Sequence, residues 1–234
     1  MVENGTRIFY IGGSDMNYCY GSYDTPTFRK WWLLKTMGVK QYDLSNRKSV
    51  ITGNILESMI LDEAGVPNTA RTKEATRIAI GDTGIGVNLD GHQKGEFVHE
   101  AKTGMIMHYS GLKTSTGGDQ ILGKKLGIGY RRQVFHGCWV AQCPVAMIHF
   151  MPVTEDDYAN PLSADISGRL MSFELPVWEE FNADEHSIRM HYLSQCMKLR
   201  ADPSNVELKR RLVLDRRDAL LYAQRYFDKD RVYG

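Results

Sequence analysis

Residues 86–104 read GVNLDGHQKGEFVHEAKTG, and this stretch decides the fold. Its short, partly alternating runs predict strands over Ile85–Asp90 and Glu96–Thr103, with Gly91–Gly95 (GHQKG) as the turn between them. Side chains alternate along a strand, so Glu100 and Lys102 share one face and Ala101 takes the other. The turn brings Asp90, at the end of the first strand, beside Glu100. Two carboxylates and an ammonium then occupy one small volume.

That set of groups suits metal-assisted phosphodiester hydrolysis. Hard carboxylate oxygens hold Mg²⁺, which keeps several waters and leaves room for a phosphate oxygen. The ion polarises the phosphorus centre and favours a bound hydroxide. Lys102 is suited to orient the attacking water or to offset charge growing on the phosphorane. A surface hairpin laced with salt bridges carries the same pattern, so the triplet alone leaves both readings open.

Working outward, the N-terminal third reads as helical. Thr25 caps a helix that starts at Pro26 and ends at Gly38. A second helix is expected over Asn54–Ala64, closed by Gly65 and carrying Glu57. Before both lies IGGSD (11–15), a glycine turn leading to Ser14, which is a good helix N-cap. Glycines before a helix N-terminus let a phosphate approach backbone N–H groups.

The middle third reads as β, with a further strand at Thr76–Ile80. Residues 110–129, rich in Gly, Ser, Thr and Lys, read as a long loop. A helix over Tyr130–Ala141 and strands at Pro144–Pro152 and Arg169–Leu175 follow. The last third is helical, with Trp178, Phe181, Ile188, Tyr192 and Cys196 forming an apolar stripe. Ser204 is placed to cap a final helix through Leu208 and Phe227. The expected architecture is one α/β domain, residues 1–234, with its core over about 7–175 and a helical C-terminal extension over about 176–234.

The chain has 234 residues, is 42% hydrophobic and 24% charged, and carries a net charge of +1. These values exclude disordered, collagen-like and coiled-coil chains. They also exclude a uniformly basic nucleic-acid coat, so any nucleic-acid site is a local patch. No window reaches the roughly 18 apolar residues of a membrane span, and the start does not read as a signal peptide. Cys19, Cys138, Cys143 and Cys196 form no CxxC pair, and buried reduced thiols in a cytoplasmic protein are expected.

Taken in order, IGGSD, GNILE, GVNLDG, HEAKT and YRRQ resemble the motifs of the YqaJ-type viral recombinase family. These are the phage alkaline exonucleases that include lambda exonuclease, within the PD-(D/E)XK nuclease superfamily. The resemblance covers roughly residues 7–150. It implies a restriction-endonuclease-like core, a central mixed sheet flanked by helices. It also implies that Asp90, Glu100 and Glu57 bind the metal, with the Ala101 carbonyl a further ligand. Lys102 is then the catalytic lysine, and Gln133 the motif glutamine beside the site. Ser14 and Arg7 correspond to residues at the DNA 5′-phosphate. Two features depart from the family: Leu89 stands where proline is usual, and residues 110–129 have no counterpart.

The basic residues Lys113, Lys124, Lys125, Arg131 and Arg132 follow the site and are candidates for DNA backbone contacts, which confer affinity without sequence preference. The resemblance implies a Mg²⁺-dependent DNA exonuclease, with Mn²⁺ a substitute. It would act 5′→3′ on linear duplexes and supply single strands to an annealing protein in phage-type recombination. It also implies a homotrimer. An endonuclease or repair nuclease of the same superfamily, and a catalytically silent DNA-binding scaffold, are the alternatives.

Overall fold

The computed structural model describes residues 9–39, 47–105, 127–175, 178 and 180–207. Arg7, Lys113, Lys124, Lys125 and the helix expected beyond Leu208 lie outside them.

Helix α1 (Met16–Cys19) follows a 3-10 turn at Gly13–Asp15. Helix α2 (Pro26–Met37) begins and ends on its sequence signals. The Thr25 side chain accepts from the Phe28 N–H at 3.1 Å, and Gly38 takes the left-handed conformation at φ 72°, which costs a residue without Cβ little. Helix α3 (Lys48–Glu63) starts six residues before the expected Asn54. It runs through Gly53, whose bare Cα packs toward Thr103 of the sheet, so that glycine marks a helix–sheet contact and not a helix end.

A short helix α4 (Lys73–Thr76), capped by Thr72, replaces the start of the strand expected at Thr76. Strands β1 (Arg77–Ala79) and β2 (Gly86–Asn88) then pair antiparallel as a separate ribbon. The GHQKG segment is not all turn. Gly91–Gln93 forms strand β3, and only Lys94–Glu96 turn, with Gly95 at φ 77°. Strand β4 (Phe97–Met105) pairs antiparallel with β3 in the register Gly91↔His99. Helix α5 (Ile128–Ala141) crosses over to strand β5 (Val145–Val153), which runs parallel to β4 with Glu100 opposite Ile148. A short helix α6 (Glu155–Ala159) and the antiparallel strand β6 (Met171–Leu175) complete a mixed sheet in the order β3-β4-β5-β6.

Helices cover both faces of that sheet. On one face, Val98, Ala146, Ile148 and Phe150 pack with Val134, Phe135, Cys138 and Trp139 of α5. On the other, Leu56 and Ile60 of α3 pack with Met151 and Val153, and Ala101 borders this cluster. Helix α7 (Ala183–Leu199) contributes Met190, Leu193 and Met197 to the first core. The described part of the C-terminal third thus packs against this core. Trp178 and Phe181 precede α7 and pack on Phe135, with ring centroids 5.3 and 4.9 Å apart. Ser204 bonds to Asp202, and it is Asn205 that accepts from the Glu207 N–H at 3.0 Å. All four cysteines are free and buried. No helix among the described residues is long and apolar enough to cross a membrane.

Behind the carboxylate face runs a polar ladder that crosses the whole sheet. His99 Nε2 lies 2.6 Å from Gln93 Oε1, His99 Nδ1 lies 3.0 Å from His149 Nε2, and His149 Nδ1 lies 2.8 Å from Ser172 Oγ. The Gln93 amide nitrogen is turned to Glu96, so its oxygen accepts from His99. Each imidazole is then a neutral tautomer, and the donors run from Ser172 toward Gln93. Burial lowers His149 to about 4 and lowers His99 as well.

Candidate active site

Asp90 stands immediately before β3, and the register of β3 on β4 sets it beside Glu100. Its Oδ2 accepts from the Ala101 N–H at 2.8 Å. Glu100 is buried (3% exposed), and its Oε1 accepts from Lys102 Nζ and, at 2.8 Å, from Gln133 Nε2 on α5. Lys102 in turn lies 5.6 Å from the centre of the Tyr130 ring. The strand alternation that places Glu100 and Lys102 on one face is observed.

The electrostatics show how close these groups are. Burial, then the Glu100 and Glu57 carboxylates, push Asp90 well above the usual carboxylate range, against the pull of Lys102. Burial first, and then Glu100, raise Glu57 as well, so the helix glutamate lies near enough to feel the Glu100 charge. Burial disfavours the Lys102 ammonium, but Glu100 and Asp90 together outweigh it and hold Lys102 above the ordinary lysine value. Asp90 and Glu57 are thus raised chiefly by burial and secondarily by Glu100, and Lys102 is the cation that opposes both. This hard, oxygen-rich and over-negative donor set fits a divalent cation. Among the described residues, no three His, Cys, Asp or Glu side chains converge as they stand to hold an ion. Glu100 is turned to Lys102 and Gln133, and Asp90 to the Ala101 amide.

Glu100 and Gln133 also line a pocket of about 130 Å³ whose other walls are the glycine turn (Gly12, Gly13, Ser14), Tyr10 and the β2 segment Val87–Leu89. A Cβ on Gly13 would come within 3.0 Å of the Gln133 side chain, so the bare glycine lets the turn sit against the motif glutamine. Ser14 does not cap a helix as expected. Gly12 is the N-cap, and Asp15 reaches back to accept the Gly12 N–H at 2.8 Å, leaving Ser14 exposed inside the turn.

Asp15 was not legible as a site residue, and it anchors the turn. Buried to 5% exposure, it pairs with Lys35 Nζ at 2.6 Å and accepts from Trp31 Nε1 at 2.9 Å. Lys35 also donates to the Tyr10 carbonyl at 2.7 Å. Asn88 and Tyr10 line the pocket without having been singled out in the sequence. Asn88 stands two positions before Asp90, and strand alternation was the signal that would have found it. Arg131 Nη1 donates to both carboxylate oxygens of Glu180, at 2.5 and 2.6 Å, so its charge is met within the protein. His99 lies next to Glu100 in sequence but belongs to the ladder on the other face.

No protein-family model matches the chain, and no curated protein matches it in sequence. Solved structures match its fold. The alkaline exonuclease LHK-Exo from Laribacter hongkongensis aligns with a TM-score of 0.55 at 12% identity, covering 92% of this chain and 96% of that one. Its complex with dAMP aligns with a TM-score of 0.54 over the same shares. A phage-related exonuclease from Haemophilus somnus 129PT aligns with a TM-score of 0.50 at 15% identity, covering 94% of each chain. At these identities the likeness establishes a shared α/β fold, a mixed sheet flanked by helices, over nearly the whole of each chain.

Proposed function

We propose that this protein is a divalent-cation-dependent deoxyribonuclease of the PD-(D/E)XK superfamily, an exonuclease of the lambda type acting 5′→3′ on linear duplex DNA. The observation that carries the reading is the hydrogen bonding of Lys102 and Gln133 to one Glu100 oxygen, with Asp90 bound to the neighbouring Ala101 amide, where Glu100 and Gln133 line a pocket shared with the glycine turn at 12–14. The fold shared with two exonucleases supports it.

In this reading Asp90, Glu100 and Glu57, with the Ala101 carbonyl, hold Mg²⁺ or Mn²⁺. When bound, the cation supplies Lewis acidity toward the phosphate and favours hydroxide as nucleophile. The chain's own residues do the rest. Lys102 hydrogen-bonds the attacking water and offsets charge on the phosphorane oxygens. Gln133 orients the Glu100 carboxylate through its hydrogen bond. The backbone N–H groups of the glycine turn, with Ser14 and Arg7, receive the terminal phosphate. Arg132, Lys113, Lys124 and Lys125 contact the backbone. The family resemblance extends the proposal to a ring-shaped trimer and a partner annealing protein in phage-type recombination; light scattering that gives a monomer mass refutes the ring.

Digestion of linear duplexes labelled at one end, with and without a 5′-phosphate and beside a circular control, tests the activity. The expected result is Mg²⁺-dependent loss of the linear substrate from its phosphorylated 5′ end with the circle intact. Cleavage of the circle overturns the exonuclease assignment, and absence of any cleavage overturns the nuclease assignment.

A further inference from the structure

Away from the pocket, α1, α5 and α7 meet at Tyr20. The guanidinium carbon of Arg132 lies 4.6 Å from the centre of the Tyr20 ring, and that of Arg189 lies 5.1 Å from it. Two cations are thus held against one ring. The ring is locked from beneath: the Tyr20 hydroxyl donates to His186 Nδ1 at 2.5 Å, His186 Nε2 lies 2.9 Å from His136 Nδ1, and His136 Nε2 lies 3.3 Å from the Gly86 carbonyl. A carbonyl only accepts, so both rings are fixed as neutral tautomers and Tyr20 is the terminal donor.

The half-buried arginines of the described chain divide into two groups. Arg71, Arg131 and Arg169 each meet a carboxylate, of Asp62, Glu180 and Asp157 respectively. Arg132 and Arg189 are equally half-buried, and among the described residues neither has an ion-pair partner. Glu185 is near enough to act on Tyr20 but pairs with neither arginine. Arg189 donates to the Cys19 carbonyl at 3.1 Å and to the Tyr23 hydroxyl at 3.4 Å, which positions it without neutralising it. Arg132 Nε is buried with no hydrogen-bond partner, as are Arg71 Nε and Arg131 Nε, so it is the missing carboxylate that sets Arg132 apart. Arg132 also directly precedes Gln133, the residue that holds Glu100.

We infer that Tyr20, Arg132 and Arg189 form a subsite, outside the pocket, for a phosphodiester group of the bound DNA strand. The inference rests on the nuclease reading above. Two unneutralised guanidinium forks on a fixed aromatic plate match an anion with several acceptor oxygens. A chain of net charge +1 has little general attraction for a polyanion, so affinity must come from local sites of this kind.

The test is fluorescence anisotropy of a labelled short duplex with the intact protein in chelator, titrated between 50 and 200 mM salt. Arg132→Gln and Arg189→Gln are each expected to weaken binding about tenfold at the low-salt end and to reduce the slope of log K against log salt by about one. Arg131→Gln, whose charge Glu180 already meets, is the control and keeps the wild-type slope. Melting temperatures identify any variant that fails to fold, and if Arg189→Gln does so the slope of Arg132→Gln decides. Unchanged slopes in folded variants overturn the subsite while leaving the nuclease reading intact. An equal drop in Arg131→Gln also overturns it, since the effect is then general charge. A wild-type protein that neither binds nor cleaves DNA overturns the nuclease reading itself.

Discussion

Gln133 on α5 and Glu100 on β4 are joined by a 2.8 Å hydrogen bond, which keys the crossover helix to the strand at the point where the chemistry is placed. Because Glu100 Oε1 also accepts from Lys102, the glutamine and the lysine together set the orientation of one carboxylate. Gln133→Ala is expected to lower kcat by roughly 10- to 100-fold, the usual cost of losing a group that orients a metal ligand. Its melting temperature should stay close to wild type. Steady-state digestion of an end-labelled duplex, beside a thermal melt, measures both.

If Asp90, Glu100 and Glu57 hold the cation as proposed, its binding stabilises the fold by mass action. Mn²⁺ or Mg²⁺ at about 100 times its dissociation constant should add about 2.7 kcal/mol, seen as a rise in melting temperature. Asp90→Asn should lose most of that rise. Lys102→Met should keep or exceed it while losing roughly 10²- to 10³-fold in rate. Differential scanning fluorimetry with and without the ion reads the outcome.

Gly13→Ala tests the contact between the turn and the motif glutamine. The added methyl comes within 3.0 Å of the Gln133 side chain, so glutamine or turn must shift by a few tenths of an ångström. The expected signature is a loss of activity on 5′-phosphorylated ends larger than the loss of stability, compared by initial rates and urea melts.

The Asp15–Lys35 pair is buried on both sides. Removing one partner leaves an uncompensated charge, so Lys35→Met is expected to cost about 3–5 kcal/mol. Adding Asp15→Asn to it should recover part of that loss. Urea denaturation of the two variants gives the comparison.

Asp157 is gripped by Arg169 at 2.6 and 2.8 Å and by the Thr154 amide at 2.6 Å. Arg169 first, helped by Thr154, holds its carboxyl down to about 2, below the ordinary value of about 3.9. A carboxylate depressed on folding stabilises the native state above its unfolded value, and the contribution fades as pH falls from about 4 toward 2. It amounts to about 2 kcal/mol. Urea midpoints of wild type and Asp157→Asn should therefore differ at pH 7 and converge near pH 2.

Much of this was legible along the chain, and the rest was hidden for identifiable reasons. Thr25, Pro26 and Gly38 announce α2 because caps are local chemistry, and the spacing of Glu100 and Lys102 announces their common face because strand alternation is local too. The first half of GHQKG was read as turn because nothing local reveals that Gly91 lies opposite His99. Asp15 looked like a turn residue because its partners, Trp31 and Lys35, come from 16 and 20 positions away. His136 and His186 stand 50 positions apart, so nothing local announces the pairing that lets α5 and α7 bury them. Asp90, Glu100 and Lys102 appeared as a local constellation, but Gln133 entered only by resemblance, because its bond to Glu100 spans 33 positions.

The ladder from Gln93 to Ser172 gives the sheet a polarity that its backbone lacks. Ser172 is exposed at the edge strand, yet its hydroxyl is the first donor of the series, and every ring downstream is oriented by it. An alanine there removes one hydroxyl from the surface and leaves His149 Nδ1, two strands over from Gln93, without its proton donor. The tautomers of two buried imidazoles lose their reference. In this sheet a solvent-facing serine carries the kind of constraint usually found only at interior positions, and surface tolerance to substitution should be lowest there.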